Sequence, residues 1–385
     1  MALRLSFDWL LAGSLIALIF NLAILGLSSF MVIFLGKKID AFLIFTTLLL
    51  TFVIHSALVH ADVSAAVFVA SNLGLLFIFN GFLSTVLRED AAKALRMLFR
   101  VATISALVSA LQMIGLLTFT TAITPETPIL SGLRYGGLLA WPQISCLLFC
   151  LAELISLDSK FQPYMPKSRL ARVTSRVLLA IGMLATGSVT AVLGLCIALA
   201  WMYRDIFSSL GSWIRYSPIA TLILAGFALS PTGQRFITDT FQLEISANQT
   251  TSTNSFDWRV LQWIRTLKLT LDHPLFGTGS ASAVNNSDLQ GLLPHNDYLR
   301  VAFEYGYLGL AIVLALASYV FVKTSRNADI GGRGAEIPIL ILIAVTAFGE
   351  NLFDQGMIYL TVGIALSLLP ALGSSSQSKI ALLVP

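Results

Sequence analysis

The chain has 385 residues, of which 56% are hydrophobic and only 11% are charged, and its mean hydropathy is +0.83. Because a soluble domain is about one quarter charged, this composition excludes a soluble globular protein and predicts a polytopic membrane protein. The net charge of +4 does not indicate nucleic-acid binding, since the cytoplasmic loops of membrane proteins carry a basic surplus of this kind.

Apolar runs long enough to cross a bilayer recur along the chain and predict an all-α, polytopic membrane helix bundle. We expect about eleven transmembrane helices, within a range of about ten to twelve. The run 174–203 is too long for one span, and we interpret it as two short helices that meet at Gly187-Ser188. The predicted runs are 9–35, 39–60, 63–87, 98–119, 134–156, 174–187, 189–203, 217–230, 298–322, 336–349 and 356–371.

Lys and Arg residues predict the orientation of these spans. Seventeen of the 24 lie in one set of alternating loops and seven in the other set, so the first set is expected to be cytoplasmic. The chain then divides into residues 1–230, the N-terminal part of the bundle; residues 231–297, a long extracytoplasmic insert; and residues 298–385, the C-terminal part of the bundle.

The few cations expected outside run against this bias, so another interaction should favour them. Arg134 begins a predicted span directly, beside glycines, and Arg300 lies at the head of the span that follows the insert. Snorkelling to headgroups would explain both positions. We favour an anionic ligand at the outer interface.

The insert contains a predicted helix from about Trp258, preceded by a Ser/Asn/Asp cluster suited to capping it. Apolar residues recur at helical spacing from Val260 to Leu271, which predicts a helix on the membrane surface with an Arg/Trp edge exposed. His273 and the proline after it end the helix. Gly277 and Gly279 then permit loop conformations that other residues avoid.

The stretch "PHNDYLRVAFEYGYLG" begins the next span. If the helix starts near Asn296, then Asn296, Arg300 and Glu304 form one polar stripe, with His295 near the first turn. Ionisable groups at a membrane interface commonly serve function. A capped helix with an Arg–Glu pair is the structural alternative.

Three stretches together resemble the bacterial O-antigen ligase and O-antigen polymerase family. "RVLQWIRTLKLTLDHPLFGTGS" and "HNDYLRVAFEYGYLGL" resemble its core signature over about Arg259 to Leu310. "GLRYGGLLAWPQ" is similar to a second family feature in part. "TGSVTA" resembles a third, although Val189 stands where the family has Arg.

The resemblance implies a metal-independent, cofactor-free membrane glycosyltransferase of the GT-C type. It would move a glycan from an undecaprenyl diphosphate-linked donor to lipid A–core or another glycan acceptor, at the periplasmic side of the bacterial inner membrane. The lipid bilayer is then an expected partner and nucleic acid is not. The resemblance and the chemistry of the reaction together imply three groups of site residues: His295 and Glu304 as catalytic residues; Arg134, Arg259, Arg300 and Arg265 for the diphosphate; and His273, Gly277, Gly279 and Asn296 as shaping residues.

Three other functions remain open at this point. A polymerase would join repeat units instead of transferring to lipid A–core. A lipid-linked glycan transporter is suggested by Glu153 and Glu350, two isolated acids in apolar runs, although no internal repeat is present. A structural scaffold would leave the outside arginines unexplained.

Overall fold

The computed structural model describes residues 90–117, 135–139, 141–207, 255–279, 282–289, 293–327 and 334–352, with single positions between 362 and 372. Every regular element in these ranges is helical, in agreement with the predicted all-α class. Short 3₁₀ turns occur at Gln162–Tyr164 and Ser287–Leu289. The helices are α1 (Ala91–Met113), α2 (Pro142–Leu157), α3 (Arg169–Thr186), α4 (Val189–Met202), α5 (Arg204–Phe207), α6 (Ser255–Thr270), α7 (Ser282–Asn285), α8 (Asp297–Asn327) and α9 (Glu336–Gly349).

Two of the described helices, α1 and α8, are long and apolar enough to cross a membrane. Helices α2, α4 and α9 are shorter but also apolar. The predicted runs 9–35, 39–60, 63–87 and 217–230, and most of 356–371, lie outside the described residues. The expected total of about eleven transmembrane helices therefore stays a prediction.

Helix α2 lies at the centre of the bundle formed by α1, α3 and α4. Most of its residues are buried, which is the mark of a helix surrounded on all sides. Close approach is achieved through small residues: a Cβ added to Gly182 of α3 would lie 2.7 Å from the Cβ of Ala106 and 2.9 Å from the ring of Phe149. Such contacts are typical of membrane bundles, where packing holds the helices together.

The predicted division of run 174–203 is confirmed. Helix α3 ends at Gly187, whose φ of 62° is left-handed, and the N–H of Gly187 bonds to the carbonyl of Leu184. Helix α4 begins two residues later at Val189. Glycine at this position ends the first helix because the left-handed conformation costs it little.

The predicted span 134–156 is wrong in its first part, because the helix begins only at Pro142. Residues 135–139 are irregular and are held by buried polar side chains of α1. The N–H of Gly137 donates to Gln112 Oε1 (3.0 Å), and the N–H of Leu138 donates to Ser105 Oγ (3.1 Å). These bonds replace the helical hydrogen bonds that the segment lacks.

Helix α8 is broken at Gly306, where φ is 70° and ψ is 179°. The loop after α6, residues 274–279, lies against this break. The N–H of Tyr307 donates to the carbonyl of Pro274 (2.7 Å), and the N–H of Thr278 donates to the carbonyl of Phe303 (2.9 Å). The 274–279 loop therefore satisfies backbone groups that the break would leave unpaired.

Two glycines allow this close contact. A Cβ on Gly277 would lie 2.5 Å from the carbonyl oxygen of Glu304, and a Cβ on Gly306 would collide with the backbone of Leu275. Both glycines also have positive φ. Gly277 of the "LFGTG" stretch and Gly306 of α8 thus allow the contact between loop and helix.

The opposite end of the bundle holds the start of α9 through Asp158. Its carboxylate accepts the N–H groups of Ala335 and Lys160, both at 2.7 Å, and Lys160 Nζ lies 2.7 Å from Glu336 Oε1. Burial raises the pKa of the Asp158 carboxyl to about 6, although the two N–H donors and the ammonium of Lys160 act to lower it. These contacts connect the end of α2 to the beginning of α9.

We predict that Gly306→Ala destabilises the protein more than Gly115→Ala does. Gly115 has a similar φ of 76°, but a Cβ there would meet nothing within 4 Å, so its substitution carries only the cost of left-handed backbone, about 1–2 kcal/mol. Gly306→Ala adds the collision with Leu275 and should lose on the order of 3–5 kcal/mol. Thermal unfolding of both variants in detergent measures the difference, and equal losses would contradict the proposed packing of the 274–279 loop.

Candidate active site

Polar side chains converge where α6, the start of α8 and the end of α9 meet. Glu350 directly follows α9, and its side chain is almost completely buried. Its Oε1 lies 3.9 Å from Nη2 of Arg259, and its Oε2 lies 3.7 Å from Nδ1 of His295. Both separations exceed a hydrogen bond, so one carboxylate makes charge contacts with two potential cations.

His295 has an unusual backbone conformation. Its φ of 49° is the only positive φ of a residue other than glycine among the described positions, and such conformations concentrate at functional sites. The ring of Trp258 meets the imidazole edge-on at a centroid distance of 5.4 Å. Nδ1 is buried and faces Glu350, whereas the side chain as a whole is 31% exposed. The accessible part of the ring therefore excludes Nδ1.

Two residues that follow His295 position this site. The side chain of Asn296 accepts a hydrogen bond from the N–H three residues later (3.1 Å), which makes it the N-cap of α8. Asp297 Oδ2 accepts the N–H of Leu352 (2.7 Å) and so connects the start of α8 to the segment that carries Glu350. The predicted helix start near Asn296 is confirmed, and His295 directly precedes this N-cap.

Arg300 and Glu304 form a second, separate pair. Arg300 Nε donates to Glu304 Oε1 at 3.1 Å, and both side chains are buried. The predicted polar stripe of Asn296, Arg300 and Glu304 is thus present and faces inward. The structure pairs Glu304 with Arg300, so the charge of Arg300 is balanced within α8.

Helix α6 presents its polar face to the protein. Gln262 and Thr266 are fully buried, and the indole N–H of Trp263 donates to the carbonyl of Pro294 (2.7 Å). The exposed residues of α6 are mainly apolar. The expectation of an exposed Arg/Trp edge is therefore wrong, because Trp263 and Arg259 both pack toward the residues before α8 and after α9.

The remaining predicted residues are placed as follows. Arg265 is half-buried and lies on a different face of α6 from Arg259, since six residues turn a helix by about 240°. His273 is exposed in the loop after α6, and Gly279 donates its N–H to the carbonyl of Glu304 (2.9 Å). Arg134 lies outside the described residues.

Sequence reasoning missed Glu350 as a site residue and treated it, with Glu153, as an isolated acid. A usable signal existed, because Glu350 directly follows a span predicted to end at residue 349 on the outer side. Glu153 is not isolated either: its Oε1 accepts hydrogen bonds from Nε (2.8 Å) and Nη2 (2.6 Å) of Arg176. The structure therefore gives each of the two acids a cationic partner.

Comparison with known proteins matches one part of the chain, which includes α6 and the start of α8. A family model described as O-antigen ligase matches residues 175–314, a range that contains α6, the 274–279 loop and His295. No curated protein matches the chain by sequence. Members of this family are membrane glycosyltransferase-like enzymes that act on lipid-linked glycans. The resemblance found in the sequence is thus confirmed over residues 175–314, where the chain is similar to the O-antigen ligase family.

Proposed function

We propose that this protein is an O-antigen ligase-like glycosyltransferase. It moves a glycan from undecaprenyl diphosphate to a sugar hydroxyl of lipid A–core, at the periplasmic face of the inner membrane and without a metal ion. The observation that carries the proposal is the convergence of Arg259 and His295 on the buried carboxylate of Glu350. Two of these three residues lie within the range matched by the family.

His295 is suited to act as the general base. The acceptor hydroxyl must lose a proton as it attacks the anomeric carbon, and an unprotonated imidazole nitrogen can accept that proton. With Nδ1 facing Glu350, Nε2 is the ring nitrogen left to meet the acceptor. A carboxylate in this position stabilises, by its charge, the imidazolium that forms.

Arg259 is suited to bind the diphosphate of the donor. Negative charge grows on the diphosphate as the anomeric bond breaks, and a guanidinium fork can pair with it in two parallel bonds. Arg259 is partly exposed, with a side-chain accessibility of 21%, whereas Arg300 is buried against Glu304. We therefore assign Arg259 the principal role and Arg300 an internal one, with Arg134 and Arg265 as further candidates.

The two ends of α9 support a periplasmic location of the site. One end carries the contact between Lys160 and Glu336, and the other carries Glu350. The helix separates them by about 21 Å. Lys160 and Lys167 belong to a basic connection that includes the first residues of α3. Since basic connections lie on the cytoplasmic side, the site belongs on the opposite side.

A polymerase that joins repeat units is the second candidate within the same family. It would use the same base and the same diphosphate contacts, so the acceptor distinguishes the two. A transporter loses its main support because Glu153 and Glu350 have partners, and neither resembles an unpaired acid on a transport path.

Deleting the gene distinguishes the two enzymes. For a ligase we expect the lipopolysaccharide core to lose all long chains while lipid-linked polymer accumulates. A core that carries a single repeat unit would instead indicate the polymerase. Unchanged banding together with unchanged lipid-linked glycan would contradict both.

We predict that His295→Asn removes most transfer activity and leaves donor binding intact. Asn tolerates positive φ better than most residues, so it preserves the backbone of this position while it cannot accept the proton. The rate of transfer by purified protein should fall by about 10²–10⁴-fold. His295→Ala serves as the comparison, because it also removes the base but tolerates the backbone less well. Turnover at the wild-type rate in the Asn variant would refute the assignment.

We predict that Glu350→Gln lowers the rate of transfer by about 10²-fold, since the amide keeps the shape of the side chain but loses the charge that stabilises the imidazolium of His295. Glu153→Gln is the matched control: it neutralises the other acid of an apolar run, which is paired with Arg176 outside this site. Transfer rates, measured at equal amounts of folded protein, should fall for Glu350→Gln and stay at the wild-type value for Glu153→Gln. Equal effects of the two substitutions would count against a role of Glu350 in the reaction.

A further inference from the structure

Helix α6 is inverted relative to an amphipathic helix in water. Its buried face is polar, with Gln262, Thr266 and Thr270 almost inaccessible. Its opposite face is apolar and exposed, and the exposure continues into the loop that follows. The exposed side chains are Ile264 (39%), Leu267 (46%), Leu271 (63%), Leu275 (62%) and Phe276 (55%). In the aqueous periplasm such a face would be unfavourable, whereas in hydrocarbon it is the expected arrangement.

This apolar face is continuous with the surface of a candidate membrane span. The N–H of Leu308 in α8 bonds to the carbonyl of Leu275 (3.4 Å), and Tyr307 and Leu308 are themselves exposed. Within an apolar stretch of 18 residues in α8, only 17% is buried inside the protein. If α8 crosses the membrane, its exposed surface is available to lipid, and the face of α6 extends that surface.

Two cations border the apolar face of α6. Lys268 is exposed and Arg265 is half-buried, and both lie on the side of the helix away from Arg259. Long basic side chains next to an apolar face are typical of helices at a membrane interface, where their charged ends reach the lipid phosphates.

We propose that the face formed by Ile264, Leu267, Leu271, Leu275 and Phe276 is immersed in the phospholipid acyl chains of the outer leaflet, with Arg265 and Lys268 at the level of the phosphates. The helix that carries Arg259 is then part of the membrane surface and not of an aqueous loop. Resting on the proposed function, this placement means that a lipid-linked donor meets Arg259 from within the leaflet. Its diphosphate never has to leave the plane of the headgroups.

Nitroxide labels on one accessible cysteine in each variant test the proposal in liposomes. The background is Cys196→Ser, because Cys146 and Cys150 are buried and Cys196 is exposed. Labels at Leu267→Cys and Leu271→Cys should be relaxed several-fold more by oxygen, which concentrates in hydrocarbon, than by a water-soluble nickel chelate. A label at Ser287→Cys, an exposed position in the turn before α8, is the matched control and should show the reverse order.

Two outcomes would overturn the proposal: preferential relaxation by nickel at Leu267→Cys and Leu271→Cys, which places the face in water, or weak relaxation by both agents, which means that protein covers it. Photolabelling of the unmodified protein by a phospholipid with a diazirine in its acyl chain gives a second measurement that needs no variant. It should label the peptide 264–276, and absence of label there would equally contradict the proposal. Neither measurement depends on glycan transfer, so an inactive protein with these lipid contacts would refute only the proposed function.

Discussion

Hydrogen bonds between the 274–279 loop and the break in α8 connect the parts of the site. A helix that breaks inside an apolar environment leaves backbone groups that water cannot satisfy, and leaving them unpaired costs several kcal/mol each. Here the carbonyl of Pro274 and the N–H of Thr278 supply the missing partners. Because this pairing holds the end of α6 beside Gly306, the beginning of α6 lies beside the beginning of α8. Trp258 and Arg259 thereby come into contact with His295 and Glu350.

The site also depends on how the buried carboxylates are balanced. An unpaired charge in such surroundings is costly, and Glu153, Glu304 and Glu350 each face a cation. Glu304 accepts a hydrogen bond from Arg300, and Glu153 accepts two from Arg176. Glu350 differs, since it lies 3.7–3.9 Å from two partners and bonds closely to neither. In the proposed role of Arg259, binding of an anionic ligand would therefore break no short hydrogen bond to Glu350.

Much of the fold could be predicted from sequence where local rules decide it. Hydropathy placed α9 at 336–349, the glycine at 187 marked the turn between α3 and α4, and the cap at Asn296 marked the start of α8. The irregular segment before α2 could not be predicted, because its bonds to Gln112 and Ser105 come from a distant helix.

The site was predictable in part, for the same reason. Arg259 and His295 carry recognisable motifs, and the pair of Arg300 and Glu304 follows from helical spacing. Glu350 approaches them only through the packing of α9. Periodicity located the apolar stripe of α6. It does not reveal whether that stripe packs on the protein, as it would in water, or faces outward into hydrocarbon.

Helix α9 is held at both of its ends. Ala335 and Glu336 are fixed by Asp158 and Lys160, and Gly349 is packed so tightly against Thr190 that an added Cβ would lie 2.6 Å from that side chain. The length of the helix therefore sets the distance between the contacts of Asp158 and Lys160 at one end of the bundle and Glu350 at the other. Inserting or deleting one residue within it would turn Glu350 by about 100° about the axis and move it by about 1.5 Å. Homologous proteins that use this carboxylate should consequently vary in the composition of α9. They should keep the number of residues between the position of Glu336 and that of Glu350.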